Sequence, residues 1–355
     1  MSAGRYAPSP TGTLHVGNLR TALLAWLAAR ASNRPFLVRV EDLDRVRSGA
    51  ESQQLADLAA VGVNWDAEPV RQSERTQLYT AAVQALRAAH GEDAVYECYC
   101  SRKDIAEAGS APHPATHPDA AAHHDNGARH LAPEPPAPEP PAPSAQPTPL
   151  RPPGFYPGTC RTLTPAQRAE RRAQRPAALR LNAALIAGLQ PGHHPEATAQ
   201  DRLHGTVTGL VDDLVVRRND GAYAYNLAVV VDDLHQGINQ VVRADDLLDS
   251  TPRQRWLTET IARAQSVPAP DTEYLHVPLV VNAAGQRLAK RDGSVTLEDL
   301  TAAIPGLTPA HVRDRLLESV GLPPGPLPDV VAHFDPDALP RDPWVFDEAD
   351  FTEGL

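Results

Sequence analysis

The stretch from Arg5 to Asn18 constrains the fold more than any other part of the sequence, because its backbone must turn sharply before a helix can begin. Its first residues suit a short strand. Pro8, Pro10 and Gly12 then favour a turn, since proline lacks the N–H that a strand ladder needs and glycine adopts turn conformations freely. After Asn18, leucine and alanine recur at helical spacing. The stretch therefore predicts a strand, a turn and a helix in immediate succession.

The start of that predicted helix has the properties of a phosphate site. The first N–H groups of a helix lack partners within it and lie at the positive end of the helix dipole. Gly12 and Gly17 would let a ligand approach the backbone, and His15 between them can donate to a phosphate oxygen. An ordinary strand–turn–helix unit with a capping histidine is the alternative, but the length of the whole pattern favours the phosphate site.

A second predicted strand, residues 35–40, runs directly into an acidic segment. Its apolar residues indicate a buried strand, and Glu41, Asp42 and Asp44 follow it. In an open parallel sheet the carboxyl ends of the strands line the ligand crevice, so Glu41 is placed to bind a substrate amine. An acid at the start of the next helix is an interpretation that fits Glu41 alone equally well.

Residues 5–18 resemble the first nucleotide-binding motif of class I aminoacyl-tRNA synthetases. That motif is usually His-Ile-Gly-His, and it reads His-Val-Gly-Asn here, from His15 to Asn18. The preceding Arg-Tyr-Ala-Pro-Ser-Pro-Thr-Gly is similar to the glutamyl branch of the class. The resemblance implies an α/β, Rossmann-like catalytic domain that binds ATP at the carboxyl ends of parallel strands. The implied ATP contacts are Gly12, His15, Gly17 and Asn18, with His15 also catalytic.

The same resemblance implies a pocket for glutamate. Its implied residues are Arg5, Ser9, Glu41, Tyr225 and Arg243. A glutamate molecule needs cations for its two carboxylates and an anion for its ammonium group, which the two arginines and Glu41 supply. Which arginine binds the side-chain carboxylate stays open. The sequence departs from the family at Ala244, where glycine is usual.

Lys290 stands in a segment that resembles the second motif of the class, usually Lys-Met-Ser-Lys-Ser. The segment reads Arg-Leu-Ala-Lys-Arg here, from Arg287 to Arg291. Apart from Lys103, every other positively charged side chain of the 33 lysine and arginine residues is arginine, so Lys290 suggests a need for a compact ammonium. The resemblance implies that Lys290 is catalytic and stabilises charge on ATP phosphates, with Mg²⁺ accompanying the ATP. A lysine in a surface turn is the alternative.

The three cysteines suggest a metal site rather than disulfide bonds. Cys98, Cys100 and Cys160 supply three thiolates, and a closed tetrahedral zinc site needs a fourth ligand. In the glutamyl-Q tRNA(Asp) synthetase family the ligands are Cys-x-Cys followed by Tyr-x-x-x-Cys, a pattern that this chain resembles with Tyr156. The resemblance therefore implies one structural Zn²⁺. A histidine of the intervening segment as fourth ligand, and reduced cysteines without metal, both stay open.

The segment between the two halves of the cysteine pattern, residues 109–153, has a different composition. Proline, alanine and histidine dominate it, and it offers almost nothing to bury, so we predict that it is disordered. The chain then divides into four predicted regions. They are a first half of the catalytic domain (1–97), a zinc-binding insertion (98–165), a second half of the catalytic domain (166–250) and a helical region similar to the family's stem-contact region, which carries the second motif (251–355).

The net charge of −11 argues against a surface coated for nucleic acid, so RNA binding is expected to use a local basic patch. Candidate patches are Arg171, Arg172 and Arg175, or Arg253 and Arg255, although each is also typical of a solvated helix face. The sequence has no apolar run near bilayer length and no leader pattern, which favours a cytoplasmic protein without membrane contact. We also expect a monomer.

The resemblance implies activation of glutamate by ATP and transfer onto RNA. In the glutamyl-Q tRNA(Asp) synthetase family the acceptor is the queuosine base in the anticodon of tRNA(Asp). A glutamyl-tRNA synthetase instead charges the 3′ end of tRNA(Glu) and carries a large helical anticodon-binding region, for which the sequence after the second motif is too short. The alternatives are a truncated charging enzyme and a catalytically inactive protein that binds glutamate and ATP.

Overall fold

The computed structural model describes residues 2–101, 103–105, 149–152, 154–288 and 295–352. Most of the segment predicted to be disordered lies outside these residues, and so does Lys290. Both interpretations therefore stay predictions. The described part of the chain is an α/β structure in which strands and helices alternate.

The strands are β1 (Ala3–Tyr6), β2 (Phe36–Val40), β3 (Val70–Arg71), β4 (Val95–Cys98), β5 (Ala178–Leu181), β6 (Glu196–Asp201), β7 (Gly205–Leu210), β8 (Val215–Arg217), β9 (Ile238–Ala244), β10 (Glu273–Val277), β11 (Val280–Val281) and β12 (Trp344–Val345). The α-helices are α1 (Val16–Ala31), α2 (Ala50–Ala60), α3 (Thr76–His90), α4 (Pro165–Gln174), α5 (Ala183–Ile186), α6 (Tyr225–Gln236), α7 (Thr251–Ala264), α8 (Leu297–Ala303), α9 (Pro309–Glu318) and α10 (Leu327–Val330).

The central sheet has the strand order β3-β2-β1-β9-β10-β6-β7. Its neighbouring strands pair in parallel, except for β6 and β7, which are antiparallel at one edge. Strand β1 lies between β2 and β9, so the strand order reverses direction at β1. The predicted Rossmann-like α/β domain is confirmed. In such a sheet the ligand crevice lies at the carboxyl ends of the strands, beside this reversal.

The central sheet takes strands from both sides of residue 250. Strand β9 ends at Ala244, and β10 pairs with it from Glu273 to Val277. Neither β6 nor β10 is anticipated in the sequence analysis, because the residues of β6 are small or polar and β10 is short. The division of the chain into four regions stays a prediction.

Helix α1 is the centre of the main hydrophobic core. It packs against β1, β9 and α9, and its leucines Leu19, Leu23 and Leu27 are buried. Buried residues lie on every side of the helix, as expected for a helix enclosed by other elements. The close approach of β1 depends on Gly4, where a Cβ atom would lie 2.9 Å from the Cβ of Ala29.

A separate antiparallel sheet, β4-β5-β8, carries the first cysteine of the predicted metal pattern. Cys98 ends β4 and pairs with Ala178 of β5. Helix α4, which carries Arg171 and Arg172 of one candidate basic patch, begins at Pro165. The Thr164 side chain accepts the N–H of Gln167, whose side chain in turn accepts the N–H of Thr164, and proline suits the first helical position.

Helix α6 forms from a segment whose apolar residues would suit either a helix or a strand. Its run of valines is buried against neighbouring elements, and the helix ends at Gly237, which adopts the left-handed conformation with φ of 69°. Glycine is favoured there because a side chain would strain this backbone conformation. Strand β9 begins directly after this turn, so α6 and β9 are set side by side.

Candidate functional site

The turn after β1 is held by two neighbouring elements. The backbone N–H of Glu41 donates to the carbonyl oxygen of Pro8 at 2.9 Å, which joins the turn to the carboxyl end of β2. The side-chain amide of Gln54, on α2, donates to the carbonyl oxygens of Gly12 at 2.6 Å and Ser9 at 3.0 Å. Gln54 is buried, and no motif of the sequence points to it. Hydrogen bonds therefore fix a turn that the sequence attributes to proline and glycine alone.

His15 is the N-cap of α1. Its Nδ1 accepts the backbone N–H of Asn18 at 3.3 Å, and the Oδ1 of Asn18 accepts the N–H of His15 at 3.2 Å. Because Nδ1 is an acceptor, the neutral ring carries its proton on Nε2. Burial lowers the pKa of His15 to about 4, and the charge of Arg287 adds to this effect. His15 is therefore neutral near pH 7 and offers Nε2–H as a donor.

Gly17 lies against the ring of His15. A Cβ atom at Gly17 would lie 3.1 Å from Cε1 and Nδ1 of His15 and 3.2 Å from the Cβ of Val280. These distances are shorter than ordinary van der Waals contact, so a side chain at position 17 would displace the imidazole. The glycine of the motif therefore preserves the position of His15, in addition to leaving room for a ligand.

The described residues on both sides of the second motif lie near His15. The N–H of Val16 donates to the carbonyl oxygen of Val295 at 2.8 Å, and the charge of Arg287 reaches the His15 imidazole. Arg287, at the described start of the second motif, and Val295, after the motif, therefore lie near the first motif. Lys290 lies outside the described residues, and its role stays a prediction.

The residues predicted to bind glutamate meet at the carboxyl ends of the central strands. Arg5 lies on β1, Glu41 follows β2, Arg243 lies on β9, and Tyr225 begins α6. The Tyr225 residue is 41% exposed, but protein atoms surround its hydroxyl group, which raises the pKa of the hydroxyl. The charge of Glu41 raises this pKa further, and the charges of Arg243 and Arg5 lower it. The four side chains thus lie within electrostatic reach of one another. Ser9 is exposed in the adjoining turn.

Arg39, a buried arginine on β2 that no sequence motif indicates, lies beside these predicted glutamate-binding residues. Its NH1 is 2.6 Å from Oδ1 of Asp233, and its NH2 is 3.3 Å from Oε1 of Glu41. Its Nε is 3.9 Å from Asp232. Burial acts to lower the pKa of Arg39, but these three carboxylates outweigh it and raise the pKa. The consecutive aspartates at the end of α6 are the sequence signal for this charge network.

Arg5 faces a carboxylate of the protein itself. Its Nε and NH2 lie 3.3 and 3.4 Å from the two carboxylate oxygens of Asp233, longer than the contact that Arg39 makes with the same group. Burial acts to raise the pKa of Asp233, but the charges of Arg5 and Arg39 outweigh it and lower the pKa. Burial raises the pKa of Glu41 against the opposing charges of the same arginines. A cation bound beside Glu41 would favour its ionised form.

Arg243 is held by side chains of α7 and β10. Its NH1 donates to Oε1 of Gln254 at 2.7 Å, and its NH2 donates to Oγ1 of Thr251 at 2.8 Å. Its Nε lies 2.9 Å from Nε2 of His276, whose Nδ1 lies 2.7 Å from Asp201. Because the Arg243 Nε always carries a proton, Nε2 of His276 is the acceptor, so the ring is neutral with its proton on Nδ1. Burial lowers the pKa of His276 to about 4.

The three cysteines and Tyr156 come together beside β4. The sulfur atoms of Cys98, Cys100 and Cys160 lie within 4.8 Å of one another. The Tyr156 hydroxyl oxygen is 3.4 Å from the sulfur of Cys98 and 3.6 Å from that of Cys100, and the sulfurs of Cys100 and Cys160 are 3.5 Å apart. Zn–S bonds of about 2.3 Å and Zn–O bonds of about 2.0–2.2 Å give ligand separations of about 3.6–3.8 Å in a tetrahedron. The four atoms therefore fit a zinc site.

Tyr156 is fixed in this position by its own surroundings. It is fully buried, and the guanidinium of Arg180 lies 3.8 Å from its ring centroid. Its backbone N–H donates to Asp212 at 3.0 Å, and its hydroxyl oxygen accepts the N–H of Cys160 at 2.8 Å. These contacts direct the hydroxyl toward the three sulfurs. The histidines that were the alternative fourth ligands lie outside the described residues.

Comparison with known proteins decides the family. Residues 3–134 and 155–311 match the sequence model described as tRNA synthetases class I (E and Q), catalytic domain. The glutamyl-Q tRNA(Asp) synthetase of Nocardia farcinica is 51% identical over 97% of this chain and 92% of its own length. The chain belongs to the glutamyl-Q tRNA(Asp) synthetase family. It is therefore a ligase of the class I tRNA synthetase type.

Further members of the glutamyl-Q tRNA(Asp) synthetase family and a solved structure agree in sequence and in fold. The protein of that name from Cutibacterium acnes is 43% identical over 91% of this chain and 77% of its own length. The crystal structure of a glutamate-tRNA synthetase from Elizabethkingia anophelis superposes with a TM-score of 0.69, covering 99% of this chain and 69% of that chain, at 20% identity. At that identity the likeness concerns the fold alone. Among the described residues, the helices are all too short or too polar to cross a membrane.

Proposed function

We propose that this ligase activates glutamate with ATP and transfers the glutamyl group to the queuosine base of tRNA(Asp). The observation that carries the proposal is the meeting of Arg5, Glu41, Tyr225 and Arg243 at the carboxyl ends of the central strands. It occurs in a chain that matches a glutamyl-Q tRNA(Asp) synthetase over nearly its whole length. The acceptor is taken from the names of these relatives.

Glutamate recognition in this proposal uses charge complementarity. Glu41 binds the α-ammonium group, Arg5 and Arg243 bind the two carboxylates, and Tyr225 and Ser9 complete the pocket. The contacts between Arg5 and Asp233 are longer than hydrogen bonds of a tight ion pair, so a substrate carboxylate can compete for this guanidinium. Which arginine takes the side-chain carboxylate stays open. Glutamine would offer only one carboxylate to the two arginines, so glutamate is favoured.

ATP in this proposal lies along the turn and the start of α1. The phosphates approach Gly12, Gly17, Asn18 and the Nε2–H donor of His15, and Lys290 adds a positive charge from the second motif. Mg²⁺ bound with the ATP would neutralise part of the phosphate charge. An oxygen of the glutamate α-carboxylate attacks the α-phosphorus, the bond from that phosphorus to the bridging oxygen breaks, and pyrophosphate leaves. The carboxylate is already ionised, so this step needs no general base.

The second step joins the glutamyl group to RNA. A hydroxyl oxygen of the queuosine base attacks the glutamyl carbonyl carbon, the bond to AMP breaks, and the hydroxyl proton passes to solvent. Zn²⁺ at Cys98, Cys100, Tyr156 and Cys160 has a structural role in the proposal, because a closed site with four protein ligands leaves no position for substrate. When bound, the Zn²⁺ ion would cross-link β4 to the segment around Cys160.

The test uses three RNA acceptors with labelled glutamate and ATP. They are tRNA(Asp) containing queuosine, tRNA(Asp) lacking queuosine, and tRNA(Glu), each prepared without its terminal adenosine and also intact. The proposal expects label on queuosine-containing tRNA(Asp) in both preparations, because the acceptor lies in the anticodon. Nuclease digestion should place the label in the anticodon fragment.

Two results would contradict the proposal. Label on intact tRNA(Glu) that disappears when the terminal adenosine is removed would identify a charging enzyme for tRNA(Glu). Failure of glutamate-dependent exchange between ATP and pyrophosphate would identify a protein that binds without catalysis.

A further inference from the structure

Helix α4 is a basic helix on the surface of the molecule. Every one of its residues is exposed or half-buried, so packing of an apolar face does not explain it. Arg168, Arg171 and Arg172 lie on it, and Arg175 follows directly. The spacing of three, four and seven residues places these arginines on neighbouring turns of one side of the helix. Glu170 is its acidic residue, in a chain whose net charge is −11.

Contacts with neighbouring residues hold the arginines of α4 in place, but they do not neutralise the charge of every arginine. Arg172 donates to Glu97 at 2.7 Å, and Arg175 donates to the backbone carbonyl of Tyr99 at 2.8 Å, which fastens the helix to β4 and the residue after it. Arg171 is exposed and, within the described part of the chain, makes neither a hydrogen bond nor an ion pair. Asp104 lies 3.9 Å from NH1 of Arg175, so Asp104 and Glu97 balance part of the charge of this helix. Among the residues that the structure describes, Arg171 keeps an unpaired positive charge at the surface.

A groove connects this helix with the glutamate pocket. It has a volume of about 570 Å³ and is lined by Arg175 at the end of α4, by Arg218 and by Tyr225. A second groove of about 300 Å³ shares Arg218 and is also lined by Arg172 and Arg217. The two grooves therefore share Arg218, which is paired with Asp44 at 3.2 Å and with Asp220 at 2.5 Å. Arginines line the way from α4 to Tyr225, and Asp44 adds one carboxylate to that lining. Among the described residues, the nucleotide motif lies elsewhere, at the start of α1, and does not occupy these grooves.

We propose that the arginines of α4 bind phosphates of the RNA backbone next to the acceptor base, which then enters the groove toward Tyr225. This inference rests on the proposed function, because it assumes that RNA accepts the glutamyl group. Arginine binds phosphate through paired N–H donors in one plane, and single-stranded RNA loops can extend their bases away from the backbone. The arginines of α4 can bind the phosphates, and the groove has room for a base that extends away from the RNA backbone.

The other basic cluster of the sequence does not fit this role. Arg253 on α7 is largely buried and lies 3.6 Å from Asp212. Arg255 forms an ion pair with Glu259 on the same helix at 3.0 Å, and it lines a different depression together with Arg263. The structure therefore favours the α4 cluster over the α7 cluster as an RNA-binding surface, whereas the sequence alone does not distinguish them.

The experiment compares two double variants of the full chain. R171Q/R172Q removes two charges from α4, and R255Q/R263Q removes two charges from α7 as a matched control. Binding of an anticodon stem-loop of tRNA(Asp), with and without queuosine, is measured over a range of salt concentrations. Glutamate-dependent ATP–pyrophosphate exchange is measured without RNA.

We expect R171Q/R172Q to weaken RNA binding by about tenfold at low salt, equally for both stem-loops, because the contacts are to phosphates. The slope of log affinity against log salt should flatten by about 1.5, since each phosphate contact contributes about 0.7–0.9. The control variant should bind like the unchanged protein, and both variants should retain pyrophosphate exchange.

Unchanged RNA affinity in R171Q/R172Q would overturn the inference and would leave the surface to an acidic protein partner. An equal loss in both variants would also overturn it, because the effect would then be one of total charge. Absence of pyrophosphate exchange in the protein without substitutions would instead contradict the proposed function. Because RNA binding is measured independently of that reaction, the two failures can be distinguished.

Discussion

Nδ1 of His276 lies 2.7 Å from Oδ2 of Asp201, and Nε2 of the same ring lies 2.9 Å from Nε of Arg243. Asp201 also accepts the backbone N–H groups of Leu203 and His204, each at 3.0 Å, so its carboxylate is fixed. Burial acts to raise the pKa of Asp201, but hydrogen bonds, first of all that from His276, lower it. An ionised aspartate therefore orients a neutral imidazole, which orients the guanidinium of Arg243, a residue that we propose binds glutamate.

The first prediction concerns this chain of contacts. His276→Ala should raise the KM for glutamate in pyrophosphate exchange by about tenfold or more, because a buried hydrogen bond to a charged group contributes about 1.5–3 kcal/mol. The KM for ATP should stay nearly constant. His276→Gln, whose amide oxygen can accept from Arg243, should recover part of the loss. Equal increases in both KM values would show that His276 supports the fold generally and does not position Arg243.

The second prediction concerns the pH dependence of stability. His15 and His276 both have a pKa of about 4 in the folded chain, whereas an unfolded chain binds these protons near pH 6.5. Between these values the unfolded state binds more protons, so the free energy of unfolding should fall as the pH is lowered from about 6.5 to 4. Glu41 opposes this trend, because burial raises its pKa.

Urea unfolding of the unchanged protein and of His276→Gln across this range isolates the contribution of one histidine. The variant should lose less stability than the unchanged protein between pH 6.5 and 4. Nitrogen NMR of labelled imidazoles provides a direct check, since His15 should carry its proton on Nε2 and titrate near pH 4. A titration of His15 near pH 6.5 would refute the inferred neutral donor.

The third prediction concerns Gly17. Gly17→Ala should lower kcat for pyrophosphate exchange more than it raises the KM for glutamate, because the added methyl displaces the His15 ring rather than the glutamate pocket. The change should be at least about tenfold, as expected when a catalytic group is misplaced. Gly4→Ala is an informative comparison. Its Cβ would meet Ala29 in the core, so it should lower the melting temperature instead.

The fourth prediction concerns the metal. We expect one zinc ion per chain by elemental analysis, and Cys98→Ser or Cys160→Ser should remove it. Tyr156→Phe should weaken zinc retention against a chelator, because the phenol oxygen fits the fourth tetrahedral position. Deletion of residues 111–147 should leave zinc in place, since it spares the four fitting ligands. Zinc loss on this deletion, combined with full retention in Tyr156→Phe, would assign the fourth ligand to a histidine of that segment.

The fifth prediction concerns buried charge. Arg39→Met leaves the carboxylates of Asp232 and Asp233 with fewer cations, and it should lower the free energy of unfolding by about 3–5 kcal/mol. Arg30→Met is the control, because the ion pair of Arg30 with Asp66 is partly exposed and should contribute about 0–1 kcal/mol. Equal effects in urea unfolding would show that the buried network is no more important than a surface pair.

Much of this architecture follows from the sequence, because the first motif combines turn chemistry with a helical pattern. The helix after Asn18 and the strand before Glu41 are predicted from local residues, and the cysteine pattern predicts the cluster with Tyr156. The partners of Arg243 are not predicted. Asp201 lies on β6, whose residues are small or polar, and His276 lies on β10, which is short, so neither strand shows a clear pattern in the sequence. The contact between the two side chains forms only when β6 and β10 pair.

The charge network around Arg39 illustrates a different limit. A strand pattern shows which face is buried, but it cannot show that a charge on that face is compensated by residues far along the chain. The two aspartates of α6 supply the compensation only after the helix has packed on the sheet. Local sequence therefore indicates the residues proposed to bind substrate more clearly than the side chains that hold those residues in place.

The parallel pairing of β1 with β9 has a consequence for how the chain is synthesised. Ala3 is aligned with Ile238, so β1 leaves the ribosome long before one of its two neighbouring strands has been synthesised. Such distant pairing carries a large loop-closure cost and slows folding. Until then one edge of β1 is exposed to other nascent chains. Chaperone demand during translation should accordingly end only when β9 has emerged from the exit tunnel.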